Sequence, residues 1–176
     1  MTIALTDSVP TFALPGTDGR THSLADYADA TVLVVIQMCN HCPYAQAWEG
    51  RISATQSDYA GRGVRVVAIN SNDAASHPED SFPEMVARAA AQAYTFDYLY
   101  DEDQSVARAL GAERTPEVYV FGADRRLVYH GAVDDNRDDR AVTAHYLRDA
   151  LDAVLDGQMP VPTETPAVGC SVKWRS

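Results

Sequence analysis

Cysteine is scarce. Three in 176 residues is an odd and sparse count. It does not describe a secreted fold stapled by disulfides. Positive charge is also short: 14 Lys and Arg stand against 25 Asp and Glu, a formal net charge of -11. That balance argues against nucleic acid or an anionic membrane surface as the main partner. No apolar run approaches the length of a membrane span. Met1 to Asp7 carries no basic start and no long apolar centre, so no signal peptide is expected and the default location is the cytoplasm. Metal ligands are few as well. Cys39, His41 and Cys42 are close in sequence, but no second Cys-x-x-Cys or His-x-x-x-His follows, and a structural zinc site needs about four ligands. Cys170 and His22 could join them only through the fold. The expectation is no metal and no cofactor.

What remains is organised around Val35 to Ala45, the stretch Val-Ile-Gln-Met-Cys-Asn-His-Cys-Pro-Tyr-Ala. The β-branched run Val32 to Ile36 before it reads as a buried strand. The breaker-poor run Ala45 to Tyr59 after it reads as a helix. Cys39 is therefore expected at or just before a helix start, where free N–H groups and the helix dipole favour an anion. That placement predicts a lowered thiol pKa and a nucleophile at neutral pH. Cys42 lies one turn further on, within reach of a mixed disulfide formed at Cys39. Pro43 suits the first helical turn, where its missing N–H is harmless. Cys-x-x-Cys at a strand-to-helix junction, on a βαβ framework, is the pattern of a dithiol–disulfide exchanger.

The rest of the chain has room for a sizeable core. Asp18-Gly19 marks a hairpin turn near the start, and Ser23 is placed to cap a short turn through Tyr27. His22 reads as an isolated polar strand residue. Gly61-Arg62-Gly63 should end the long helix. Val64 to Asn70 is a second buried strand, parallel to the first through a right-handed crossover. Ser71 to Glu79 reads as a polar, solvated loop. Helices are expected over Phe82 to Ala93, Gln104 to Leu110 and Ala141 to Leu155. Strands are expected over Phe96 to Tyr100, then from Pro116 to Phe121 and from Arg126 to Gly131. We expect one domain over residues 1–156. Residues 157–176, with Pro160, Pro162 and Pro166, form an extended tail. Its alternating Val168, Cys170, Val172 and Trp174 predict that it wraps back and buries Trp174. Cys170 is either a buried small hydrophobe or a third redox thiol that reaches the dithiol.

Cys39-Asn40-His41-Cys42 between strand and helix, with Thr115-Pro116 before a later strand, resembles the thioredoxin fold. The resemblance is narrower still to its redoxin branch, the alkyl hydroperoxide reductase and thiol-specific antioxidant proteins, with their N-terminal hairpin. Within that branch the chain is similar to bacterial cytosolic proteins that share Cys-Asn-His-Cys-Pro-Tyr, a Pro-Glu-Asp-Ser loop and a tail ending near Gly-Cys-x-x-Lys-Trp. Here these fall at Cys39 to Tyr44, Pro78 to Ser81 and Gly169 to Trp174. The resemblance implies an α/β three-layer fold around a central mixed sheet. It makes Cys39 the nucleophile, Cys42 the resolving thiol and Pro116 a cis-proline facing them. It puts Asn40, Pro43, Thr115 and Pro116 on the substrate-binding surface, with the Thr115 backbone free to pair with an extended segment. His41 is either a tuner that stabilises the Cys39 thiolate, making the disulfide a better oxidant, or a plain polar spacer.

The sequence departs from the pattern at three positions. Met38 stands where thioredoxins commonly carry Trp. Leu33 stands where they place a buried Asp that takes the proton of the second cysteine, so the base for Cys42 is not identified. Arg114 stands where related chains often carry a cysteine. The expected activity is thiol–disulfide exchange with protein or small-molecule disulfides, recharged by a cellular dithiol system. The alternative is a thiol peroxidase, in which a cysteine becomes a sulfenic acid. The peroxidatic Thr-x-x-Cys pattern is missing, because Ile36 lies three residues before Cys39. A third reading is a non-catalytic binding module.

Overall fold

A computed structural model describes residues 3–176; the start of the expected leaderless N-terminus, Met1 and Thr2, lies outside them. The strand expected at Val32 runs over Val32–Met38 (β3), two residues longer than its apolar run. All seven of its residues are buried, as in a strand covered on both faces. Its side chains alternate between two cores. Val32, Val34, Ile36 and Met38 join one, while Leu33 and Val35 join the other. Each fully buried Val, Leu or Ile in such a strand contributes about 1.5–3 kcal/mol.

Two strands precede β3 and make the expected hairpin: β1 (Ala13–Pro15) pairs antiparallel with β2 (Thr21–Ser23) around Asp18-Gly19. His22 is buried there, between Asp18 and the Tyr27 hydroxyl. The central sheet has the order β5-β4-β3-β7-β8. In it, β4 (Val64–Asn70) and β5 (Asp97–Tyr100) run parallel to β3. The strands β7 (Glu117–Phe121) and β8 (Leu127–Gly131) complete it in antiparallel fashion. The first core holds side chains of helices α1 (Pro43–Tyr59), α2 (Phe82–Ala91) and α4 (Tyr146–Leu155). The second holds α3 (Ser105–Leu110) and the N-terminal hairpin region. Helices on both faces of a mixed sheet give the expected three layers.

Several boundaries differ from expectation. Helix α1 starts at Pro43, and its N-cap is Cys42 rather than Cys39. A short 3-10 turn follows it, and Gly63 closes the run in the left-handed region at φ 79. Helix α4 begins at Tyr146, not Ala141. A 3-10 turn over Asp139–Ala141 and an extended Val142 precede it, with exposed His145 as its N-cap.

The tail folds back along the molecule. Thr163 and Thr165 exchange backbone hydrogen bonds with His130, so the outer edge of β8 is paired. Farther on, Arg114–Thr115 (β6) and Cys170–Ser171 (β9) form a short antiparallel pair. The apolar anchor is Val172, 4% exposed; Trp174 is 41% exposed and stacks with the Arg108 guanidinium instead. The expected burial of Trp174 is therefore corrected. β9 ends at Ser171, so strand alternation does not carry on to Trp174, and the indole stays at the rim.

Candidate active site

The carboxyl ends of β3 and β4 converge on Cys39, Cys42, Thr115 and the loop after β4, the region where open α/β sheets place ligand-contacting loops. The Thr115–Pro116 peptide is cis. The Cys39 sulfur donates to the Thr115 hydroxyl at 3.3 Å. The Cys42 sulfur lies 3.4 Å from the Thr115 carbonyl oxygen, to which its thiol form donates. The two thiols are free, and Thr115 touches both. Both are buried, at 1% and 0% exposure.

The pair's charge falls on the second cysteine. The neighbouring Cys39 thiol holds the Cys42 thiol well below its ordinary value, against the opposing effect of burial. The Cys170 S–H and the N–H groups of Ala45 and Cys170 add to it. As the N-cap of a 17-residue helix, Cys42 also meets the dipole more directly than Cys39 does. The neighbouring Cys42 pushes the Cys39 thiol up, as do burial and the Asp80 carboxylate. The raised Cys39 thiol differs from the lowered one that the sequence predicts, because the helix N-cap is Cys42, three residues beyond Cys39.

Asp80 is the residue that sequence reasoning missed. It follows directly on the loop read as solvated, closes a 3-10 turn over Pro78–Asp80 and has no exposed surface. Its Oδ1 accepts from the backbone N–H of Asn40 at 2.7 Å and of His41 at 3.3 Å. Its Oδ2 accepts from Asn72 Nδ2 at 2.8 Å and lies 2.5 Å from His41 Nδ1. The carboxylate beside the dithiol therefore comes from the loop after β4, not from position 33 on β3. The signal for it was the Pro78-Glu79-Asp80-Ser81 motif, which was noted without a role.

Asn40 points inward, 5% exposed, and accepts from the Tyr98 hydroxyl at 2.8 Å. Its amide donates to the Glu79 carbonyl at 2.8 Å, so it braces the loop rather than facing solvent. Pro43 is exposed. Arg114 is exposed and on the strand that pairs with the tail. Thr115 is fully buried, and its backbone, expected to be free, is paired with Cys170. Cys170 is half-buried, packs against the core that holds both other thiols, and contacts the Cys42 sulfur. Burial and this neighbour push its thiol up to about 11.

Cys39, His41 and Asp80 present ligand-type atoms within 4.8 Å of one another. All four contacts just described already engage Asp80, so a metal there would displace the bonds that hold the Cys39-to-Cys42 loop. Among the described residues no helix is long and apolar enough to cross a membrane.

Two solved structures match almost the whole chain. A hypothetical protein of Sinorhizobium meliloti is 40% identical, with a TM-score of 0.94, over 100% of this chain and 97% of that one. An uncharacterized conserved protein of Geobacillus kaustophilus is 40% identical, with a TM-score of 0.93, over 99% and 94%. A Mycobacterium tuberculosis protein named "Putative peroxiredoxin" is 29% identical over 141 residues, 80% of this chain and 83% of that relative. More distant structures share the thioredoxin-like fold. The Redoxin family model matches residues 4–147, and with the cysteine pair lying at the strand–helix junction of a thioredoxin-like sheet, the chain belongs to the Redoxin family.

Proposed function

We propose that the chain is a thiol–disulfide oxidoreductase working through Cys39 and Cys42. One observation carries the reading: both sulfurs lie on Thr115, 3.3 Å from its hydroxyl and 3.4 Å from its carbonyl oxygen, beside the cis Thr115–Pro116 peptide and at a helix N-terminus. The reduced pair holds one proton between them, on Cys39, and one negative charge, on Cys42. Cys39 attacks a substrate disulfide. Its proton passes to the adjacent Cys42 while the substrate S–S bond breaks and the first substrate thiolate leaves. Cys42 then attacks the Cys39 sulfur. The Cys39–Cys42 disulfide forms, and the second substrate thiol departs with the proton. Two electrons have moved from the dithiol to the substrate, and a cellular dithiol system restores the pair. Cys42 thus acts as the proton acceptor for Cys39.

The test is equilibration in glutathione redox buffers with mass-spectrometric readout. A Cys39–Cys42 disulfide with a potential near that of thioredoxin, about -270 mV, marks a reductant. One near protein disulfide isomerase, about -180 mV, marks an oxidant or isomerase. Absence of that disulfide would overturn the reading. The peroxidase reading draws on the name of the 29% identical relative. It requires rapid sulfenic acid formation with hydrogen peroxide. The Asp80 carboxylate beside Cys39 opposes the thiolate that such a reaction uses.

A further inference from the structure

The tail does more at the dithiol than cover it. β9 lies antiparallel to β6 with Cys170 opposite Thr115, the residue whose hydroxyl and carbonyl touch Cys39 and Cys42. The Thr115 hydroxyl also reaches the Cys170 carbonyl, at 3.5 Å. Adding a strand to a free backbone edge is a general way to bind an extended peptide. Here the chain's own end fills that edge and brings a thiol with it. Gly169 sets the approach: a Cβ there would sit 2.1 Å from the Thr115 carbonyl oxygen and 2.7 Å from its carbon. Only a residue without a side chain lets the strand come this close. Of the three cysteines, Cys170 alone is not fully buried.

We propose that Cys170 is a third catalytic thiol, which takes the disulfide from the buried pair onto the tail as a Cys42–Cys170 bond. The step rests on the exchange reading above. In the oxidised site the Cys170 thiol loses its proton and its sulfur attacks Cys42. The Cys39–Cys42 bond breaks, the Cys42–Cys170 bond forms, and Cys39 leaves as a thiolate that takes the proton. No net electrons move, so no outside oxidant is needed. The exchange carries the oxidised bond from two sulfurs sealed inside the molecule to one near its surface. There the thiolate of a reducing dithiol attacks Cys170, frees Cys42, and leaves a mixed disulfide that its second thiol resolves. The tail behaves as a tethered substrate held in register by β6.

Non-reducing peptide mapping of the full chain, oxidised in a glutathione buffer and trapped with acid, tests this. Wild type should yield both Cys39–Cys42 and Cys42–Cys170 peptides. Cys39→Ser should yield Cys42–Cys170 as the main intramolecular bridge. Gly169→Ala, which wedges the tail off Thr115 without altering any thiol, should lower the Cys42–Cys170 yield at least fivefold and speed alkylation of Cys39 and Cys42. Cys39–Cys42 formed normally, with Cys170 in no intramolecular bridge of either wild type or Cys39→Ser, overturns the inference and leaves the exchange reading standing. A Cys42–Cys170 yield unchanged in Gly169→Ala, with circular dichroism confirming the fold, overturns the register-held tail. Absence of Cys39–Cys42 from wild type overturns the exchange reading itself.

Discussion

His41 Nδ1 lies 2.5 Å from Asp80 Oδ2, so the imidazole between the two cysteines is tied to a carboxylate with no exposed surface. That carboxylate in turn raises the Cys39 thiol.

Removing the ring should leave the carboxylate unopposed beside Cys39 and disfavour the reduced, charged site. His41→Ala is expected to make the dithiol more reducing by about 30 mV, a tenfold change in the exchange equilibrium. Adding Asp80→Asn should return much of that shift. Glutathione titration of both variants checks it; a double variant no closer to wild type would show that the coupling does not run through Asp80.

Asp80 should also matter for stability. Its carboxylate satisfies donors from Asn40, His41 and Asn72. Asp80→Ala strands them in a buried site, where each lost partner costs about 1–3 kcal/mol. We expect a loss of at least 2 kcal/mol in urea unfolding of the reduced protein, at an unchanged m-value.

The reduced protein should carry one thiolate at neutral pH, and it should be Cys42. Because that thiol is lowered from its ordinary value of 9.0, it stays charged when an ordinary cysteine would be neutral. Its contribution to stability is complete above pH 9 and is withdrawn as acid protonates it well below that value. Thiolate absorbance at 240 nm should survive in Cys39→Ser and vanish in Cys42→Ser. The reverse result would return the charge to Cys39.

Glu117, next to Pro116, supplies an acid-sensitive element. Burial acts to raise its carboxyl, but the His130 ring and the N–H groups of Arg114 and Glu113 outweigh that and hold it below 4.5. It therefore stabilises the fold above about pH 4.5, and that contribution is lost as pH falls through its lowered value. Glu117→Gln should cost about 1–3 kcal/mol at neutral pH and flatten the loss of thermal stability below pH 4.5.

Much of this was legible because local pattern and global packing agree. The apolar runs Val32 to Ile36 and Val64 to Ile69 had no alternative to a buried strand, and Gly63 had to end the run before the second. The dithiol and Thr115-Pro116 were readable for the same reason, since each sits at a boundary between elements. Asp80 was not, because a carboxylate in a polar loop looks the same whether it faces water or four buried donors. The capping role of Cys42 was hidden by Pro43, which suits a first turn wherever that turn begins. Trp174 escaped prediction because alternation holds only as long as the strand does, and β9 ends at Ser171. The partner of Thr115 was hidden too: pairing between residues more than fifty positions apart leaves no local trace.

The segment that crosses Cys42 also runs along the outside of β8, where Thr163 and Thr165 pair with His130. An unpaired strand edge invites other chains to add to it. Deleting the tail would thus expose the thiols and, in the same stroke, create a template for aggregation. Selective access requires the last few residues around Gly169 to detach while those at 163–165 hold on. One ribbon serves as a movable cover at one end and a permanent selvedge at the other.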